Sequence, residues 1–314
     1  MQLSIFGERL RRPARRVYLA NVGVNLSHRL RSPLFTDKSF EFIPIPEGST
    51  LQECVIADIQ PVTYHDLSCY NSTASLLSFS SPELQTQFAD SIVHYDPILG
   101  DKNDEHHASF TYGDIPYVNA RASSLRHAQP GDIIFFLANL SAYDCEKKRF
   151  IAGQRSLYLV GFIEIAIILE YSPLNAQQIY DPYASHFYEL QAFVRNAHVN
   201  HLLTLPHRYA KEPFTIFEGS GNSTRFTKAV PMTLDMCKAC LRDKNDRPFV
   251  YENFKSINAC IGAYTRAVRS HFDLQHASHQ ESFRTFLRFI QEHNSIPDIL
   301  EQTDSAELPI SSKK

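Results

Sequence analysis

Apolar residues fall in short blocks through the first two thirds of the chain and recur at helical spacing in the last third. Val17–Ala20 is an apolar block with the length of a buried strand, and it opens onto a polar loop, Asn21–Phe35. Phe40–Ile45 alternates apolar and polar residues until prolines stop it, which predicts a short strand. Residues 46–90 are mixed and turn-rich, with a short helix predicted over Pro82–Asp90 behind Ser81 as N-cap. The segment "VHYDP" (Val93–Pro97), an acidic loop (Gly100–Ala108) and "FTYGD" (Phe110–Asp114) follow. The clearest pattern is central. Within Leu125–Leu140 a Pro-Gly-Asp turn feeds the run "IIFFL", a buried strand by length and branching. Arg155–Tyr171 reads as a second long strand in which Gly161 marks a bend, a bulge or a close approach. Between them, Ser141–Gln154 reads as a polar hairpin connection.

Helical spacing then takes over. His186–Val199 places Leu190, Phe193, Val194 and Ala197 on one stripe, with Asn196 and His198 off it at the helix end. Phe214–Phe226 reads as a strand entering a glycine-rich turn. Ile257, Cys260, Ile261, Tyr264 and Val268 line one further predicted helix, and Phe283, Phe286, Leu287 and Ile290 line another. After about Asp298 the chain is polar and reads as disordered. No internal repeat is visible. The expected fold class is α+β: a mixed or antiparallel curved sheet with helices packed around it and a helical C-terminal part. The expected division is a basic arm (1–16), an α+β domain (17–230), a helical region packed on it (231–298) and a tail (299–314). The central order of turn, Gly-Asp, apolar strand, polar loop and strand resembles the PUA-like pseudobarrels, the superfamily of ASCH, EVE and YTH domains. That resemblance implies a small curved barrel.

Composition changes this picture little. With 314 residues and 43% hydrophobic content, the chain can bury a sizeable core. A net charge of −3 argues against polyanion binding by bulk charge. Locally, Arg9, Arg11, Arg12, Arg15 and Arg16 crowd the first sixteen residues, as a solvated tail or a phosphate-contacting arm. The six cysteines are scattered and no apolar signal segment precedes them, so reduced thiols and a cytoplasmic location are expected. Cys237 and Cys240 form a lone CxxC without a second pair at zinc spacing, and no metal is assigned from sequence. The longest apolar stretch, Tyr158–Tyr171, carries Glu164 and Glu170 and is too short to span a bilayer, so no membrane partner is expected.

Five polar clusters are candidates for chemistry. In the opening loop, Asn21, Asn25, Ser27, His28, Arg31 and Ser32 combine amide, hydroxyl and guanidinium donors that suit phosphate or carboxylate oxygens. His94-Tyr95-Asp96 and Thr111-Tyr112-Gly113-Asp114 each place a carboxylate near an aromatic ring. Asp96 and Asp114, with His28, are candidates for proton transfer, and Tyr95 and Tyr112 for stacking on a base. Asn196-Ala197-His198 lies at a predicted helix end. In "EGSGNSTRF", Ser223 and Arg225 flank a turn whose N–H groups suit a phosphate. Each cluster also has a structural reading as turn or cap residues. Walker, dinucleotide, GxSxG, HExxH and zinc-deaminase motifs are absent from the sequence.

The blocks "VYLANVGVNLSHRLRSPLF", "FEFIPIPEG", "VHYDP", "FTYGD", "GDIIFFLANL", "LYLVGFIEI", "NAHV" and "GSGNSTRF" occur in an order similar to that of the nucleotide modification associated domain, type 3, over Val17–Phe226. That resemblance implies a link to modified DNA bases and a DNA or nucleotide partner, with no reaction or cofactor attached. The residues fit such a role: arginine on phosphate, tyrosine on the ring, aspartate or asparagine on the base edge. Three functions stay open: an enzyme acting on a base, a non-catalytic reader of modified bases in DNA or RNA, and a structural adaptor.

Overall fold

The computed structural model describes residues 16–24, 27–47, 59–100, 110–171, 193–204, 213–241, 268–296 and 299. In chain order the elements are β1 (Arg16–Val22), β2 (Ser32–Leu34), β3 (Ile45–Pro46), α1 (Pro82–Phe88), β4 (Val93–His94), β5 (Ile98–Leu99) and β6 (Phe110–Asp114). Then come β7 (Ile133–Asp144), β8 (Arg149–Tyr171), α2 (Ala197–Thr204), β9 (Phe214–Gly219), β10 (Thr224–Pro231), α3 (Leu234–Cys240), β11 (Val268–Asp273) and α4 (Ala277–Gln291). Among the described residues nine strands make one mixed sheet, in the order β11-β1-β7-β8-β9-β6-β5, with β10 also on β8 and β2 also on β7. β1 and β2 run parallel to β7, and the other pairs in the sheet are antiparallel. The fold is α+β as expected, but the sheet runs out at β11 and β5 instead of closing into a barrel.

The apolar run predicted at Ile133–Leu137 lies at the centre. Ile133, Ile134, Phe135 and Phe136 are fully buried, because β7 is paired on both edges and packed on both faces. Phe135 stacks edge-on against Phe286 of α4 at 5.2 Å, and Phe136 meets Tyr112 of β6 at 5.4 Å. Burying each such ring contributes roughly 1.5–3 kcal/mol. The predicted stripe Phe283, Phe286, Leu287, Ile290 is the buried face of α4. Cys237 and Cys240 are buried in this same core, on the short helix α3.

Several boundaries differ from the sequence reading. The strand expected at Phe40–Ile45 contracts to Ile45–Pro46, and Phe40 makes only an isolated bridge to Leu34. Pro44 and Pro46 have no N–H to extend a ladder. The connection expected at Ser141–Gln154 is mostly strand: β7 runs to Asp144 and β8 starts at Arg149. This hairpin arm is solvent-exposed on β8, so its sequence is polar although its backbone is paired. Gly161 is a close approach. A Cβ there would lie 2.6 Å from the Thr224 carbonyl of β10. The predicted helix His186–Val199 overlaps the described residues only from Phe193, where a turn leads into α2. Asn196 and His198 therefore begin a helix and do not end one. Asn25, the arm before Arg16, the loop after Gly100, the stripe Ile257–Tyr264 and the tail from Glu301 lie outside the described residues, while Val268 opens strand β11.

Candidate functional site

The site begins with an alternation. β4 ends at His94 in a tight turn closed by the Asp96 N–H on the His94 carbonyl at 2.9 Å; His94 and Asp96 point one way while Val93 and Tyr95 point the other. Val93 is buried in a side cluster against which Tyr95 packs. The opposite face receives α2. Asn196 caps that helix: its Oδ1 accepts from the His198 N–H at 3.1 Å. Its Nδ2 donates to Asp96 Oδ1 at 2.7 Å and to Thr111 Oγ1 at 3.2 Å. The Ala197 N–H donates to the Tyr95 carbonyl at 3.2 Å, which ties the helix start to the strand end. His198 and His201 are one turn apart on α2, and the His94 ring meets both, with centroids 5.1 and 5.9 Å away. Glu47, just after β3, reaches His94 Nδ1 at 2.9 Å.

β6 forms the floor. The Gly113 N–H donates to Asp96 Oδ1 at 2.8 Å. Gly113 has no Cβ because one would sit 2.9 Å from Asn196 Oδ1 and also strike the His198 ring. Tyr112 and Asp114 project to the other face of β6. There Tyr112 packs against Phe136 and Phe217 and donates from its hydroxyl to Asp114 Oδ2 at 2.6 Å.

Burial dominates the electrostatics. It raises Asp96 to about 7, opposed by the His94 charge and by the bonds from Gly113 and Asn196. Burial also raises Asp114, against the Tyr112 and Ile115 donors. His198 is held well below the usual imidazole range by burial and by the neighbouring His94 and His201. For His94, burial favours the neutral ring, but the Glu47 bond and the charges of Asp96, Glu47 and Asp114 outweigh it and raise the pKa. His94 and Glu47 keep 25% and 22% of their side-chain surface exposed, so the cluster can be reached from solvent on that side.

Behind Tyr95 lies a separate cleft whose walls include Glu41, Tyr70, Tyr95, Pro97, Arg195 and Arg225. The Arg195 guanidinium lies 5.6 Å from the Tyr95 ring centroid. Arg225 is buried between the rings of Phe40 and Tyr70, at 4.2 and 4.0 Å. It donates to the Phe40 carbonyl at 2.8 Å and faces Glu41 at 3.6 Å.

Of the residues singled out by sequence, the fold thus unites His94, Asp96, Asn196 and His198, and places Tyr95 and Arg225 at the adjoining cleft. It separates others. Ser32 Oγ accepts from the Ile43 N–H, and Ser223 Oγ from the Glu164 N–H, so both brace the backbone. Asn21 lies within β1, paired opposite Leu137. Arg31 lies over Phe150 of β8 at 5.7 Å, and the Arg155 charge, after burial, lowers the His28 pKa. His28 and Arg31 therefore accompany the β7–β8 hairpin, with the exposed Ser27 before them. Sequence reading missed Glu47, Arg195 and His201, and it grouped Thr111 with Tyr112 and Asp114 without giving it a role. His201 had a signal, the His-x-x-His spacing 198–201, which was hidden by ending the helix at Val199.

Fold and site together define an α+β protein with a partly open histidine–carboxylate centre and, beyond Tyr95, an arginine- and tyrosine-lined cleft. Residues 16–282 match the family model for nucleotide modification associated domain 3, and the chain belongs to that family. Its membership associates the protein with nucleotide modification. No curated protein and no solved structure matches the chain. Among the described residues no helix is long and apolar enough to cross a membrane.

Proposed function

We propose that this protein is an enzyme that acts on a base of DNA or of a nucleotide, with His94, Asp96, Asn196 and His198 at its reaction centre. The observation that carries this reading is convergence. Segments around residues 47, 94–96, 111–113 and 196–201 bring five ionisable side chains to one partly open point, and an asparagine and a glycine N–H fix its central carboxylate. Internal stability needs no such assembly, because burying charged groups is costly. A residue set of this kind suits proton transfer to or from a bound base. Tyr95 and Arg195 line the separate cleft on the opposite side of the strand end, and they suit a flanking ring and phosphate of the substrate, not the reacting base. Arg225 takes no part in holding phosphate in this reading, since its guanidinium is engaged inside the fold. A duplex base would have to be flipped out to reach the centre.

The non-catalytic reader is the weaker reading. The aromatic pair that would serve as a cage, Phe40 and Tyr70, is already filled by Arg225. The test is mass analysis of nucleosides from DNA of cells with the protein, without it, and with Asp96→Asn. A mass change present only with the unaltered protein supports the enzyme. Binding of DNA with every nucleoside mass unchanged supports the reader and removes the reaction.

A further inference from the structure

The same cluster has the composition of a metal site that the sequence did not reveal. Candidate ligand atoms of His94, Asp96 and His198 all lie within 4.8 Å of one another, and so do those of Glu47, His94 and His201. Each trio is two imidazoles and one carboxylate. Two imidazoles sharing one ion at ~2.1 Å per bond bring their ring centroids roughly 5 Å apart. His94 and His198 stand at 5.1 Å, edge to face, whereas His94 and His201 stand at 5.9 Å.

The surrounding hydrogen bonds are those that orient ligands. With its proton on Nδ1, His94 donates to Glu47 Oε1, which leaves the lone pair on Nε2. A carboxylate behind a histidine fixes the ring and raises its basicity toward a metal. Among the described residues the bonds to Asp96, from Gly113 and Asn196, fall on Oδ1 and leave Oδ2 for a cation. Asn196 also fixes the start of the helix that carries His198. Gly113 keeps the floor clear where a Cβ would strike the His198 ring. Two carboxylates and three imidazoles with ligand atoms this close suit a dication, which the anionic oxygens and the neutral ring lone pairs stabilise together.

We propose that His94, Asp96 and His198 bind one divalent transition-metal ion, with Glu47 positioning His94, Asn196 positioning Asp96, and His201 flanking the site from the next turn of α2. Mixed imidazole and carboxylate ligation favours zinc, iron(II), manganese or cobalt over magnesium or calcium. This deepens the enzymatic reading and rests on it only for what the ion would do there, namely polarise a substrate oxygen or activate a bound water.

The test uses the full chain, stripped by a chelator, then dialysed against zinc or cobalt(II). Metal is counted by elemental mass spectrometry, and cobalt ligation is read from its visible absorption. The expected result is one equivalent per chain. Asp96→Asn and His198→Gln should each abolish tight binding. Glu47→Gln and Asn196→Ala should weaken it by roughly 10–100-fold, as outer-shell changes do. His65→Ala, an exposed histidine away from the cluster, should change nothing. Circular dichroism on each variant separates lost ligation from lost folding. No metal on the folded unaltered chain overturns the site, as does full retention by both Asp96→Asn and His198→Gln. If His201→Gln abolishes binding while His198→Gln does not, the ligand assignment is wrong. A chain that binds metal but alters no nucleoside keeps the site and loses the reaction. The converse result keeps the reaction and removes the site.

Discussion

Asn196 holds the cluster together, and its removal can be worked through from the hydrogen bonds. The side chain is fully buried. In Asn196→Ala the cap on the His198 N–H disappears, which costs about 1 kcal/mol. The 2.7 Å bond to Asp96 goes as well, worth about 1.5–3 kcal/mol when the carboxylate is ionised. So does the 3.2 Å bond to the buried Thr111 hydroxyl, at about 0.5–1.5 kcal/mol. The sum is about 3–5.5 kcal/mol, a large part of the ~5–15 kcal/mol that holds a domain folded. Asn196→Ser keeps a capping oxygen and should recover about 1 kcal/mol of this. Urea unfolding at pH 8, with equal denaturant slopes, measures both. The reasoning is refuted if the alanine variant lies within about 1 kcal/mol of the unaltered protein, or if serine recovers the whole loss. The second result would mean that only the helix cap matters and that the tether between α2 and Asp96 does not form.

Three further outcomes are expected. Gly113→Ala places a methyl group 2.9 Å from Asn196 Oδ1 and 3.0 Å from Ile216 Cδ1, so stability should fall by about 1–3 kcal/mol; an unchanged melting temperature would show that β6 and α2 are not in close contact. Arg225→Met leaves Glu41 buried without its partner and should cost about 3–5 kcal/mol, while adding Glu41→Gln should restore at least half; strict additivity in the double-mutant cycle would contradict the pairing. The buried Thr215 hydroxyl has no hydrogen-bond partner among the described residues, so Thr215→Val should be neutral or stabilise by up to about 1 kcal/mol; a clear loss in thermal melting would reveal a partner.

The local pattern was legible wherever a backbone period decides the answer. The runs at Val17–Ala20 and Ile133–Leu137, the stripe on α4 and the Ser81 cap all became the elements their spacing implied, because strand and helix geometry act over a few residues. The polar clusters holding His94, Asp96, Asn196 and His198 were legible as well. The sequence by itself thus determined an α+β chain and half of its candidate site. Only tertiary structure decided the rest. Glu47 meets His94 across 47 positions, Asn196 meets Asp96 across 100, and Arg225 meets the Phe40 carbonyl across 185. No local period encodes such distances. They follow from which faces of the sheet bury one another, and that packing turned Arg225 and Tyr112 inward, left Arg31 beside the β7–β8 hairpin, and brought His201 to the centre.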